Sequence, residues 1–140
     1  MKPSRRALVV EDDAKLAAIV EHKLKLDGFE VTRAATGFEA GMLIRRLRPH
    51  IVLLDLMLPG VDGAEVCRQI RSDPELARTR VLGMSASSDE AAVGRFRKLV
   101  DDFMPKPFKL AEITPRIDRL LEGLEPHPDD FDRNRVVILS

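Results

Sequence analysis

Three acids stand where chemistry is possible. Ile51-Val52-Leu53-Leu54, the most apolar run in the chain, ends in Asp55, and Ala7-Leu8-Val9-Val10 ends in Glu11 and Asp12. Consecutive large aliphatics bounded by Pro49-His50 and Pro59-Gly60 read as a strand buried on both faces, as in the middle of a parallel sheet. In open α/β sheets ligands bind beyond the carboxyl ends of the strands, so a carboxylate there is placed for chemistry rather than packing. The structural alternative for Asp55 is a residue that only caps a loop, and Asp12 or Asp13 can equally cap the helix that follows. If the two strands are neighbours, Glu11, Asp12 and Asp55 meet within a few ångströms. Like charges that close raise one another's pKa and persist only with a cation. Oxygen donors without His or Cys suit a hard ion that keeps several waters, which points to Mg2+.

Two further groups arrive at the same edge. Val81 to Met84 leads into Ser85, and Asp102 to Met104 leads into Lys106. Serines and lysines at loop starts are common, and neither alone is informative. Together with the acids they describe a nucleophilic carboxylate, a divalent ion, a hydroxyl donor and a compact cation. An anionic phosphoryl group with three equatorial oxygens needs that set.

The elements that must position these residues follow from the hydrophobic pattern. Short apolar runs alternate with amphipathic segments five times, the sequence form of a βα-repeating sheet. Strands are predicted over 7–10, 30–34, 51–54, 81–84 and 102–104. Helices are predicted over 14–26, 39–47, 62–72 and 90–99, with a fifth between 110 and 123. Right-handed crossovers put helices on both faces of a doubly wound parallel sheet, and the common strand order for this element count is 2-1-3-4-5. Pro115 falls inside the amphipathic pattern of the last helix. With Thr114 as a cap and proline in the first helical position, regular helix is expected to start near Pro115, or to kink there.

Composition narrows the function classes. At 140 residues with 23 basic and 23 acidic side chains, the chain is one domain without a global basic field. A protein partner is therefore expected, with neither direct DNA binding nor a membrane. Cys67 is the one cysteine and excludes an internal disulfide, in keeping with a cytoplasmic protein. Core packing is its expected role, since it falls on the apolar side of its helix with Val66 and Ile70. His22, His50 and His127 lack ligand-like spacing. Arg45, Arg46 and Arg48 have no aromatic interleaving and read as a solvated helix face. The amino terminus has too short an apolar stretch for a signal peptide or membrane span. Seventeen residues follow Gly123, too few for a helix-turn-helix or catalytic module. The expected organisation is a domain over 1–123 and a C-terminal tail over 124–140, with no effector domain. Val136 to Leu139 is apolar and β-prone, able to pair at a sheet edge or a partner, or to fray.

Glu11-Asp12, the Val52-to-Gly60 run through Asp55, Ser85-Ala86 and the Phe103-to-Phe108 segment resemble the receiver domain of bacterial two-component response regulators. The resemblance runs from about Ala7 to Gly123, with the signals in the family's order and spacing. It implies a (βα)5 flavodoxin-like fold and an Asp55 that accepts a phosphoryl group from a sensor histidine kinase or phosphotransfer protein. It implies a Mg2+ ion held by Glu11, Asp12, Asp55 and the backbone carbonyl of Met57, a Lys106 that pairs with the phosphoryl oxygens, and a Ser85 that hydrogen-bonds them in the active state. Phe103 takes the place of the family's switch aromatic. The Lys106–Pro107 bond is expected to be cis. Output is expected through the face of helix 4, strand 5 and helix 5 toward a downstream protein target, with a homodimer through the same face as a further expectation.

Three positions depart from the family pattern on that face. Phe103 has no hydroxyl for a hydrogen bond that would report its inward position. Leu99-Val100 replaces a small Gly-Ala pair, so helix 4 should not end in a left-handed cap. Pro115 is the third. Two rival functions share the acidic site. A Mg2+-dependent phosphohydrolase using an aspartyl phosphate needs a general acid two residues beyond the nucleophile, and Met57 leaves that role vacant. A degenerate receiver used only as a scaffold would not need Glu11, Asp12, Asp55, Ser85 and Lys106 together.

Overall fold

The computed structural model describes residues 5–124. The tail segment 136–139 lies outside them. Five strands, β1 (Arg5–Val10), β2 (Phe29–Ala34), β3 (Ile51–Asp55), β4 (Arg80–Ser85) and β5 (Asp102–Pro105), form one sheet in the order β2-β1-β3-β4-β5. All four pairings are parallel. Helices α1 (Ala14–Leu26), α2 (Gly37–Leu47), α3 (Gly63–Ser72), α4 (Glu90–Leu99) and α5 (Ile113–Leu121) fill the crossovers. This is the expected doubly wound, flavodoxin-like (βα)5 fold. β1 begins two residues ahead of its apolar run because Arg5 and Arg6 pair with Phe29 and Glu30. Ladder pairing, not hydrophobicity, sets that end.

Alternation along β3 explains why its whole run is apolar. Val52 and Leu54 join a core with Ile44 of α2, Cys67 and Ile70 of α3 and Phe96 of α4, whereas Ile51 and Leu53 join one with Val20 and Leu24 of α1 and Ile117 of α5. Successive side chains point to opposite faces, and both faces are covered. Cys67 is fully buried, with its S–H donating to the Leu99 carbonyl, as its expected packing role requires.

The helix starts anchor the loops at the carboxyl edge. Asp13 accepts hydrogen bonds from the Lys15 and Leu16 amides and so caps α1, and Asp62 caps α3 through Glu65 N–H at 3.0 Å. Gly37 and Gly63 are the first residues of α2 and α3, and each is wedged. A Cβ on Gly37 would stand 2.3 Å from the Val61 carbonyl oxygen, and one on Gly63 would stand 2.2 Å from the Asp55 carbonyl oxygen. At the opposite end, Gly28 closes the turn after α1 with φ +94° and open space around it.

Two helix ends bear on the expectations. α4 stops at Val100 with extended backbone, φ −86° and ψ 163°, rather than in the left-handed region, as a Leu-Val pair demands. α5 begins at Ile113 after a single 3-10 turn over Leu110–Glu112, so Pro115 is the third helical residue. The expected Thr114 cap is therefore not formed. Thr114 Oγ1 donates instead to the Asp27 carboxylate. Proline is tolerated within the first turn because amide hydrogens there have no intrahelical acceptor. Among the described residues, no helix is long and apolar enough to cross a membrane.

Candidate functional site

β1 and β3 are adjacent, so the acids that end them converge. Glu11 and Asp55 are both buried and Asp12 is exposed, and one carboxylate oxygen from each lies within 4.8 Å of the others. From the far edge of the sheet, the segment after β5 delivers Lys106, whose Nζ donates to Asp55 Oδ2 at 2.9 Å and to Glu11 Oε1. The Lys106–Pro107 peptide is cis. Lys106 N–H donates to the Ser85 carbonyl at 2.8 Å, fixing the end of β5 to the end of β4.

The charges shift as burial and pairing require. Burial raises the Glu11 pKa above its ordinary 4.5; the Lys106 ammonium opposes this, the Asp55 carboxylate adds to it, and the net shift is upward. Burial alone would lower the Lys106 pKa, but its hydrogen bonds to Glu11 and Asp55 outweigh that, and the pKa is raised from its ordinary 10.5. Lys106 thus stays an ammonium, one cation shared by two buried carboxylates. A divalent ion fits the same donor set: the three groups are carboxylates with no softer ligand among them.

The remaining residues occupy the rim. Asp55 Oδ1 accepts from Met57 N–H at 3.1 Å, which turns the Met57 backbone toward Asp55 although the residue is 58% exposed. Ser85 is buried and its Oγ accepts from Ser87 N–H at 3.0 Å, so its own proton remains available to donate. The structure brings Glu11, Asp12, Asp55 and Lys106 together and sets Ser85 at the neighbouring strand end. Phe103 stands apart. It pairs with Gly83, three residues before Lys106, and its ring packs against Phe96. Neither Phe96 nor Arg97, which covers Phe103, is marked by sequence pattern as more than an ordinary helix residue.

The family of response regulator receiver domains matches residues 7–118. The DNA-binding response regulator MtrA of Mycolicibacterium paratuberculosis is 37% identical over 128 residues, covering 91% of this chain and 56% of that protein. The signal receiver domain of a signal transduction histidine kinase from Syntrophus aciditrophicus superposes with a TM-score of 0.80 at 28% identity, covering 98% of this chain and 99% of that one. The receiver domain of a sensor histidine kinase from Pseudomonas aeruginosa, with a magnesium ion coordinated in its active site cleft, gives a TM-score of 0.77 at 28% identity, covering 84% and 98%. The chain spans about half the length of the curated relatives it matches. MtrA bears the name of a DNA-binding regulator, so the comparisons do not support the expectation of action without DNA contact.

Proposed function

The chain belongs to the response regulator receiver domain family of two-component signalling, and from that premise we propose that Asp55 is its phosphoacceptor. A carboxylate oxygen of Asp55 attacks the phosphorus of a phosphohistidine on a sensor histidine kinase or phosphotransfer protein. The phosphorus–nitrogen bond breaks, its electron pair returns to the imidazole, and an acyl phosphate remains on Asp55. The observation that carries this reading is the shared ammonium: Lys106 holds Asp55 and Glu11 at once, so a group arriving on Asp55 draws on a cation already in place.

Each neighbour has a part. Lys106 bonds the phosphoryl oxygens, and Ser85 donates its free hydroxyl proton to them. Glu11, Asp12, Asp55 and the Met57 carbonyl would hold Mg2+, which when bound neutralises phosphoryl charge. Phe103 follows the rearrangement of the segment between Ser85 and Lys106. The α4–β5–α5 face then carries the state to a downstream protein target, and the same face serves any homodimer. The setting is the cytoplasm, where the single buried thiol stays reduced. The protein is a signalling phosphoacceptor acting only on its own phosphoryl group, since Met57 supplies no acid or base for turnover of phosphate esters.

Intact mass after incubation with Mg2+ and acetyl phosphate tests the proposal. Gain of one phosphoryl group, mapped to Asp55 and lost on chelation, is expected. Modification elsewhere, or none, overturns it. Because relatives bind DNA, a duplex titration across salt concentrations is the companion measurement: saturable binding with a steep salt slope would add nucleic acid to the partners.

A further inference from the structure

The side of the sheet that carries α1 and α5 keeps an apolar groove open to solvent. Ala18, Ile19, His22, Lys23 and Leu26 of α1 line it together with Leu110, from the turn before α5, around a space of about 340 Å³. Ile19, Leu26 and Leu110 are exposed, Leu26 to 71%. Large aliphatic side chains gathered in one concave place mark a surface suited to being covered.

The chain itself supplies a cover. Leu124, the last described residue, packs on the core shared by α1 and α5, so the chain leaves the fold on the groove's side of the sheet. Residues 125–140 follow, among them Val136-Val137-Ile138-Leu139. The stretch from Leu124 to Val136 reaches at most about 40 Å, against about 14 Å for the length of α5, so the groove is within range. Phe38 and Met42 make a second exposed apolar pair, but they stand on α2, which packs on the other face of the sheet.

Charge favours the same placement. Helix α1 carries Lys15, Lys23 and Lys25 against one acid, Glu21. Residues 125–132 carry Glu125, Asp129, Asp130 and Asp132 with no lysine or arginine. Attraction of that acidic stretch to the basic helix brings the apolar segment after it toward the groove. Tethering does the rest. A short linker holds the segment at a roughly millimolar effective concentration, so contacts too weak to join two separate molecules suffice within one.

We propose that the segment 136–139 occupies this groove, docking within its own chain against Ile19, Leu26 and Leu110. Alternate side chains of an extended segment share a face, so either Val136 and Ile138 or Val137 and Leu139 enter. Docked, the tail withdraws the apolar side of α1 from other proteins; released, it offers that side to them. No residue of the acidic edge takes part, so the inference stands apart from the phosphoacceptor reading.

A spin label tests this in the full chain. Ser140→Cys adds a thiol for a nitroxide, and the native Cys67 is buried and slow to react. The methyl signals of Ile19, Leu26 and Leu110 should broaden while that of Met42 stays sharp. The double substitution Val137→Asp, Ile138→Asp blocks either register and keeps the tether, and it should abolish the broadening. Broadening that is absent, that is equal at Met42 and Ile19, or that survives the double substitution overturns the proposal. Isotope-labelled chains without nitroxide are then mixed with nitroxide-bearing chains without isotope. Sharp signals in that mixture are expected, and broadened ones would mean that a second copy supplies the tail, which overturns docking within one chain.

Discussion

Lys106 and Asp55, 51 residues apart in the chain, are joined by a 2.9 Å hydrogen bond from the ammonium to Oδ2. The same ammonium bonds Glu11. Lys106→Met therefore leaves two buried carboxylates facing each other. The loss should cost about 1–3 kcal/mol in urea unfolding without metal, the range for a buried polar group left unpaired. The variant should still take up a phosphoryl group, but without the spectral change around Phe103 seen in wild type. Unchanged stability together with a wild-type spectral response would remove Lys106 from the site.

Asp55→Asn should abolish labelling by acetyl phosphate and leave the fold intact, because the change removes charge from a crowded acidic cluster. Intact-mass measurement reads the first outcome and thermal unfolding the second.

Mg2+ should stabilise the wild type by mass action, by about 2.7 kcal/mol when its free concentration is a hundred times the dissociation constant. The increment should vanish in Asp12→Ala and in Asp55→Asn. A midpoint that rises equally in all three proteins would mean that the ion binds elsewhere.

Gly83→Ala should destabilise by about 1–3 kcal/mol through overpacking against Phe96. Adding Phe96→Leu should recover part of that loss although each change alone is harmful, a non-additivity that a double-mutant cycle measures. Strict additivity would show that the two side chains do not compete for one space.

Burial raises the Cys67 thiol pKa above 9.0, with Asp101 adding to the shift and Arg71 and Arg68 opposing it. The folded state holds the proton more tightly than the unfolded state, so the contribution to stability is complete below pH 9.0 and is lost as pH rises past it. The difference in unfolding free energy between wild type and Cys67→Ala should therefore shrink above that pH. A disulfide reagent should modify the native thiol only as fast as the protein opens.

Much of this molecule was legible in its sequence. The five strands show as apolar runs because a sheet covered on both faces needs apolar side chains on both, as Ile51 to Leu54 demonstrates. The site shows for a topological reason: parallel strands send all their carboxyl ends to one edge, so Glu11, Asp12, Asp55, Ser85 and Lys106 are each found by locating where a run stops. What stays hidden is complementarity between elements distant in sequence. Gly83 and Phe96 look unrelated until β4 lies under α4. Thr114 resembles a helix cap until Asp27 is seen to accept its proton. Asp101, far from Arg71 and Val81 in sequence, bonds the guanidinium of one and, at 2.7 Å, the amide of the other. Local pattern reports which face a residue prefers, and says nothing of the neighbour it meets there.

The wedged glycines make the two ends of the sheet unequal as places to lengthen the chain. Gly37 and Gly63 press backbone against the segment from Asp55 to Val61, with no room for even one added carbon. Extra residues there would push Asp55 out of line with Lys106. Gly28 turns in open space at the other end, so a foreign loop grafted at that turn leaves the acidic edge undisturbed. A reporter or docking tag fused into this protein belongs at the Gly28 turn, where the fold takes up new length without touching its chemistry.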